Sequence, residues 1–148
     1  MSESATTSAP KTPWHIWVVG ILTFLWNSVG VMDFVMINAR NAKYLAELTP
    51  EQLTFVQAFP MWVTVSWATA VFGAVLGSLL ILMRKAIAVP VFVLAMAGLL
   101  VTSFHNFVLK DGMKTMGGVA MGITVAIFVI AIFLAYYSHA MKKKGLLR

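Results

Sequence analysis

Within stretches that are otherwise almost wholly apolar, the chain carries a carboxylate at Asp33, an imidazole and an amide at His105 and Asn106, and a second amide at Asn27. An ionisable or strongly polar side chain in such a setting is expensive, and by default it marks a site or a pair. Imidazole titrates near physiological pH, and an adjacent carboxylate raises its pKa by stabilising the cation. Asp33 with His105 and Asn106 therefore reads as a substrate clamp, a proton-sensitive gate or a hydrogen-bonded strut between helices. Trp26, Gly30 and Asp33 fall on one helical face, at spacings of four and three. An aromatic plate, a gap and a carboxylate on one stripe suit a sugar or an amine, although such stripes also serve ordinary helix packing. Asn27 sits about 120° around the helix from Asp33, so it should turn into the bundle and bond another helix.

These side chains need elements to hold them. Four apolar stretches, at 14–37, 61–83, 86–109 and 117–137, take up most of the 148 residues. A helix crosses a hydrocarbon core of about 30 Å with about 20 apolar residues, and all four stretches are long enough. Hydrophobic residues make up 60% of the chain, against about 45–50% for soluble domains. The expected fold is all-α, a transmembrane four-helix bundle over residues 13–141. Residues 1–12 read as a disordered tail and residues 142–148 as a basic one. The first stretch exceeds the roughly 7–15 apolar residues of a cleaved signal.

Depth along the spans brings the candidates to one level. Asp33 lies about 19 residues into the first span, roughly 28 Å along a helix, and His105 and Asn106 lie equally far into the third. The two spans run in the same direction. Near the C-terminal end of its helix Asp33 gains nothing from the dipole. If the first span ends sooner, the carboxylate simply meets water. Asn27 is deeper, where an unpaired amide is hardest to tolerate.

An even number of spans puts both termini on one side. That side carries Lys11, Arg84, Lys85, Lys142, Lys143, Lys144 and Arg148 with Glu3, and the other carries Arg40, Lys43, Lys110 and Lys114 with Asp33, Glu47, Glu51 and Asp111. The excess of Lys and Arg predicts cytoplasmic termini and a bacterial inner-membrane location. The formal charge of +6 is thus a matter of topology beside anionic lipid, and nucleic acid is not an expected partner.

The connections are short. Arg84-Lys85 joins the second and third spans, and Lys110-Asp111-Gly112 is a turn signal in which Gly112 would supply the permissive backbone. Thr49-Pro50-Glu51-Gln52 reads as a capping box, with Thr49 at the N-cap and Pro50 as the first helical residue. It predicts a short amphipathic helix over residues 50–59 in the first extracytoplasmic loop, either a stitch between spans or a lid, joined to the second span through a bend at Pro60. Gly73 with Gly77, and Gly118 with Gly122, are small-residue pairs that let helices approach, within this chain or against another copy.

Enzyme chemistry has no foothold. There is no cysteine, and no hydrolase, zinc or phosphate-loop motif is present. No metal or cofactor is expected; His15 and His139 could face one another as axial haem ligands, but interfacial histidines are the ordinary reading.

Pro13-Trp14-His15-Ile16-Trp17-Val18-Val19-Gly20, Leu25-Trp26-Asn27, Gly30-Val31-Met32-Asp33-Phe34, Thr49-Pro50-Glu51-Gln52 and Phe59-Pro60-Met61-Trp62 together resemble a family of small, uncharacterised bacterial four-span membrane proteins often labelled "sugar transporter". The resemblance runs from Pro13 onward and implies transport, without assigning a role to any residue. The resulting expectation is small-solute, sugar-like transport by a homo-oligomer. The alternative is a non-catalytic accessory subunit of a larger membrane complex.

Overall fold

The computed structural model describes residues 8 and 10–148, and within them the chain is all helical. Most of the tail expected to be disordered lies outside the described residues, as does Glu3. The elements are α1 (Trp14–Asn38), α2 (Ala42–Leu45), α3 (Pro50–Gln57), α4 (Met61–Leu82), α5 (Ala88–Phe104), continued by a π-helical turn (His105–Leu109), and α6 (Gly112–Lys143). Among the described residues four helices are long and apolar enough to span a membrane, namely α1, α4, α5 with its π turn, and α6. The chain is a multi-pass membrane protein built as a helical bundle.

The spanning helices pack in chain order. α1 lies on α4, α4 on α5, and α5 on α6. The closest pair is α4 with α5, and the reason is side-chain size. A Cβ on Gly73 would stand 2.9 Å from Ala95 Cβ, and one on Gly77 would stand 2.6 Å from the Phe92 ring. A Cβ on Gly98 would come within 2.5 Å of the Ser66 carbonyl oxygen. Lipid supplies no hydrophobic push between helices, so this van der Waals fit is what holds the pair. Gly118 and Gly122 behave otherwise: a Cβ added at either would meet nothing within 4 Å.

The connections follow capping rules, with departures from expectation. Thr49 Oγ1 accepts from the Gln52 amide at 3.2 Å, and Gln52 Oε1 accepts from the Thr49 amide at 3.1 Å. The expected capping box opens α3. Pro60 is extended at φ −66°, ψ 158°, so α3 and α4 are separate helices rather than one bent helix. α1 and α4 each end in a Schellman turn whose left-handed residue is an arginine, Arg40 at φ 54° and Arg84 at φ 58°. In the α5–α6 link the positive φ belongs to Asp111, at 50°, and not to Gly112. Gly112 is required for closeness instead, since a Cβ there would meet the Asn106 carbonyl oxygen at 2.6 Å. Inside α6 the helix breaks at Gly117, which is left-handed at φ 78°.

The principal core lies at the end bearing the termini. Ile16, Ile81, Phe92, Leu134, Met141 and Leu147 belong to one buried cluster. The last residues are part of it. After a Schellman turn at Gly145, the Arg148 amide donates to the Arg84 carbonyl at 2.8 Å, and the Ala86 amide donates to the Arg148 carbonyl at 2.9 Å. Leu146 and Leu147 are thereby buried across the end of the bundle. At this same end His15 Nδ1 and the Tyr137 hydroxyl, 2.6 Å apart, tie α1 to α6.

Candidate functional site

Beyond that tie, α1 and α6 do not pack along their lengths as the other neighbours do. Between them, and walled by α4 and α5, is a cavity of about 530 Å³, within the roughly 300–1,000 Å³ usual for small-molecule sites. Phe92 and Leu134 of the core form its floor, and Asp33 and Tyr44 stand at its mouth, at the end bearing the interhelical loops. Ile123 and Ile127 of α6 and Met96 and Leu99 of α5 supply apolar walls.

α1 contributes the distinctive side. Trp26, Asn27, Gly30 and Asp33 all line the cavity. Gly30 leaves its part of the wall low, since a Cβ there would meet only the Val71 side chain, at 3.4 Å. Asn27 donates through Nδ2 to Ser78 Oγ at 3.1 Å and to the Ala74 carbonyl at 3.4 Å, the interhelical bond expected of it. The Ser78 hydroxyl already donates to the Ala74 carbonyl at 2.9 Å, so it can only accept from Asn27. That fixes which end of the amide faces α4.

Asp33 is held from outside the spans. The Schellman turn at Arg40 reverses the chain, and Asn41 Oδ1 caps α2 by accepting from the Tyr44 amide at 3.0 Å. The short helix brings Tyr44 back over α1, where its hydroxyl donates to Asp33 Oδ1 at 2.6 Å. The bond to the carboxylate, followed by burial and the negative charges of Asp33 and Glu47, pushes the phenol up to about 12. Tyr44 is the site residue that sequence reasoning missed. Its signal was the Asn41 cap, which returns the chain toward the last turn of α1.

His105 and Asn106 are not on the cavity. His105 is buried, and its Nδ1 lies 3.1 Å from Asn106 Oδ1. Its ring stands edge-to-face between Phe59 at 5.5 Å and Trp62 at 5.4 Å. Nε2 is buried without a hydrogen-bond partner among the described residues. Asp33 and His105 thus have different partners, and the clamp or gate that depended on their contact is not formed. A chain of aromatic rings connects the two regions: Phe34 meets Trp67 at 4.9 Å, Trp67 meets Phe59 at 5.9 Å, and Phe59 meets His105. His15 is taken by Tyr137 and His139 is exposed, so the two do not form a facing pair. Among the described residues no three His, Asp or Glu side chains converge to hold a metal.

Fold and cavity together define a multi-pass membrane protein with a ligand-sized chamber among its spanning helices. No family model, no curated protein and no solved structure matches the chain.

Proposed function

We propose that the protein binds a small solute in this cavity and carries it across a bacterial inner membrane. The observation behind this reading is that Trp26, Gly30 and Asp33, one stripe of α1, line a single chamber of about 530 Å³. A concave, mostly apolar chamber with a few polar groups at one end is the usual form of a small-molecule site. The Trp26–Asp33 stripe suits a sugar-like solute, whereas the apolar walls do not.

The proposed orientation places both termini in the cytoplasm, from the distribution of Lys and Arg. The proposed homo-oligomer has its support in α6. Gly118 and Gly122 are exposed, and a Cβ at either would meet nothing within 4 Å, which leaves a close-packing surface for another copy. The same surface would serve the alternative, an accessory subunit docked on a different membrane protein.

Reconstitution into liposomes tests the transport reading. Uptake is measured for radiolabelled monosaccharides, amino acids and organic amines. The expected result is uptake of one class above empty liposomes, lost in Asp33→Asn while membrane insertion is unchanged. Absence of uptake for every class, with co-purification of a fixed partner, would instead favour the accessory role.

A further inference from the structure

The chemistry of the cavity narrows what it takes. Resting on the cavity reading above, we infer that its occupant is a lipophilic monovalent cation, which enters sideways from the bilayer between α1 and α6 and seats its charge against Asp33.

Asp33 is the one carboxyl side chain that lines the chamber, and no lysine, arginine or histidine lines it. Among the described residues no cationic side chain pairs with Asp33, and its hydrogen bond is the one from Tyr44 to Oδ1. A half-buried carboxylate beside apolar walls costs free energy that a bound cation offsets. An anion would be repelled from the same place.

Few polar groups of the chamber are free to serve a hydrophilic solute. The Thr102 hydroxyl donates to the Gly98 carbonyl at 2.9 Å, and the Asn27 amide hydrogens are directed to Ser78 and Ala74. A solute with hydroxyls on every side would find acceptors only at Asn27 Oδ1 and the Asp33–Tyr44 end, and would surrender most of its water without replacement. Trp26 and Trp67 instead line the chamber with aromatic side chains, which supply apolar area and attract a cation through the ring quadrupole.

Trp26, Val29 and Ile123 line the cavity and yet are 44%, 59% and 52% exposed. They flank the gap between α1 and α6, which is joined at the end bearing the termini by His15 and Tyr137. In a membrane that gap faces acyl chains, so a compound dissolved in the bilayer reaches the chamber directly.

Tetraphenylphosphonium and tetraphenylborate carry the same four phenyl groups with opposite charge, and triphenylphosphine oxide is a neutral analogue. Their binding is measured by equilibrium dialysis to the protein in phosphatidylcholine nanodiscs, with empty nanodiscs as reference. The expected result is saturable binding of the phosphonium, weakened at least about tenfold by Asp33→Asn and largely kept by Asp33→Glu, as for loss of a charge partner. The borate and the oxide should bind at least about tenfold more weakly to the wild type. Equal binding of all three probes, indifferent to Asp33→Asn but abolished by Ala74→Phe, would overturn the cation assignment and leave the cavity reading standing. Absence of saturable binding by any probe, or binding untouched by both Ala74→Phe and Ala131→Phe, would overturn the two together.

Discussion

The Tyr44 hydroxyl donates to Asp33 Oδ1 across 2.6 Å, linking the turn after the first spanning helix to the mouth of the cavity. The bond holds the phenol in its protonated form and raises it from 10.0 to about 12. A raised pKa means that the protonated phenol is favoured more in the folded than in the unfolded chain. Its contribution to stability is complete below pH 10 and is lost as pH rises through about 12. Ultraviolet titration of phenolate should show Tyr44 ionising well above an ordinary tyrosine. In Asp33→Asn its titration should move back toward 10.0, the value of an unperturbed phenol.

The separation of Asp33 from His105 is equally measurable. In a double-mutant cycle on thermal stability, Asp33→Asn and His105→Gln should be additive within about 0.5 kcal/mol, as for residues that do not touch. Asp33→Asn with Tyr44→Phe should couple by about 0.5–1.5 kcal/mol, since those residues share a hydrogen bond. Coupling of the first pair as strong as the second would mean that His105 reaches Asp33 after all.

The glycines divide into two classes with opposite predicted outcomes. Gly98→Ala places a methyl 2.5 Å from the Ser66 carbonyl oxygen, and should destabilise the bundle by about 1–3 kcal/mol through overpacking. Gly122→Ala meets nothing within 4 Å and should leave the monomer's stability unchanged or slightly higher. Reversible unfolding in mixed micelles measures both. A loss of oligomer in Gly122→Ala without loss of monomer stability would support the proposed contact between copies.

At the opposite end, Leu147 is 2% exposed and lies against the core formed with Ile16, Ile81 and Leu134. Leu147→Ala should cost about 2–5 kcal/mol. Lys144→Ala, at an exposed position, should change stability by less than about 0.5 kcal/mol. Comparable small effects in both variants would show that the last residues do not seal the bundle.

Much of this architecture is legible in the sequence, because hydropathy reports span number and length directly. The Thr49–Gln52 capping box is legible too, since its reciprocal bonds are local. The Trp26, Gly30 and Asp33 stripe is a matter of helical spacing, and all three residues line the chamber. Contact across helices is harder to read. Depth along a span is a simple count, but rotation about its axis is not, so His105 shares the level of Asp33 and faces Phe59 and Trp62 instead. Gly98 has no glycine four residues away to mark it, yet a Cβ on it would meet the α4 backbone at Ser66 and Ala70. Leu146 and Leu147 follow a run of lysines, and only the turn at Gly145 returns them to the core.

The most direct test of the central claim is native mass spectrometry of the protein released gently from its own membrane, alongside the cavity-filled variant Ala74→Phe. The wild type should retain a small bound molecule that Ala74→Phe lacks, with both proteins equally folded. Identical spectra for the two, with no bound mass or the same bound mass in each, would contradict a solute site among the helices.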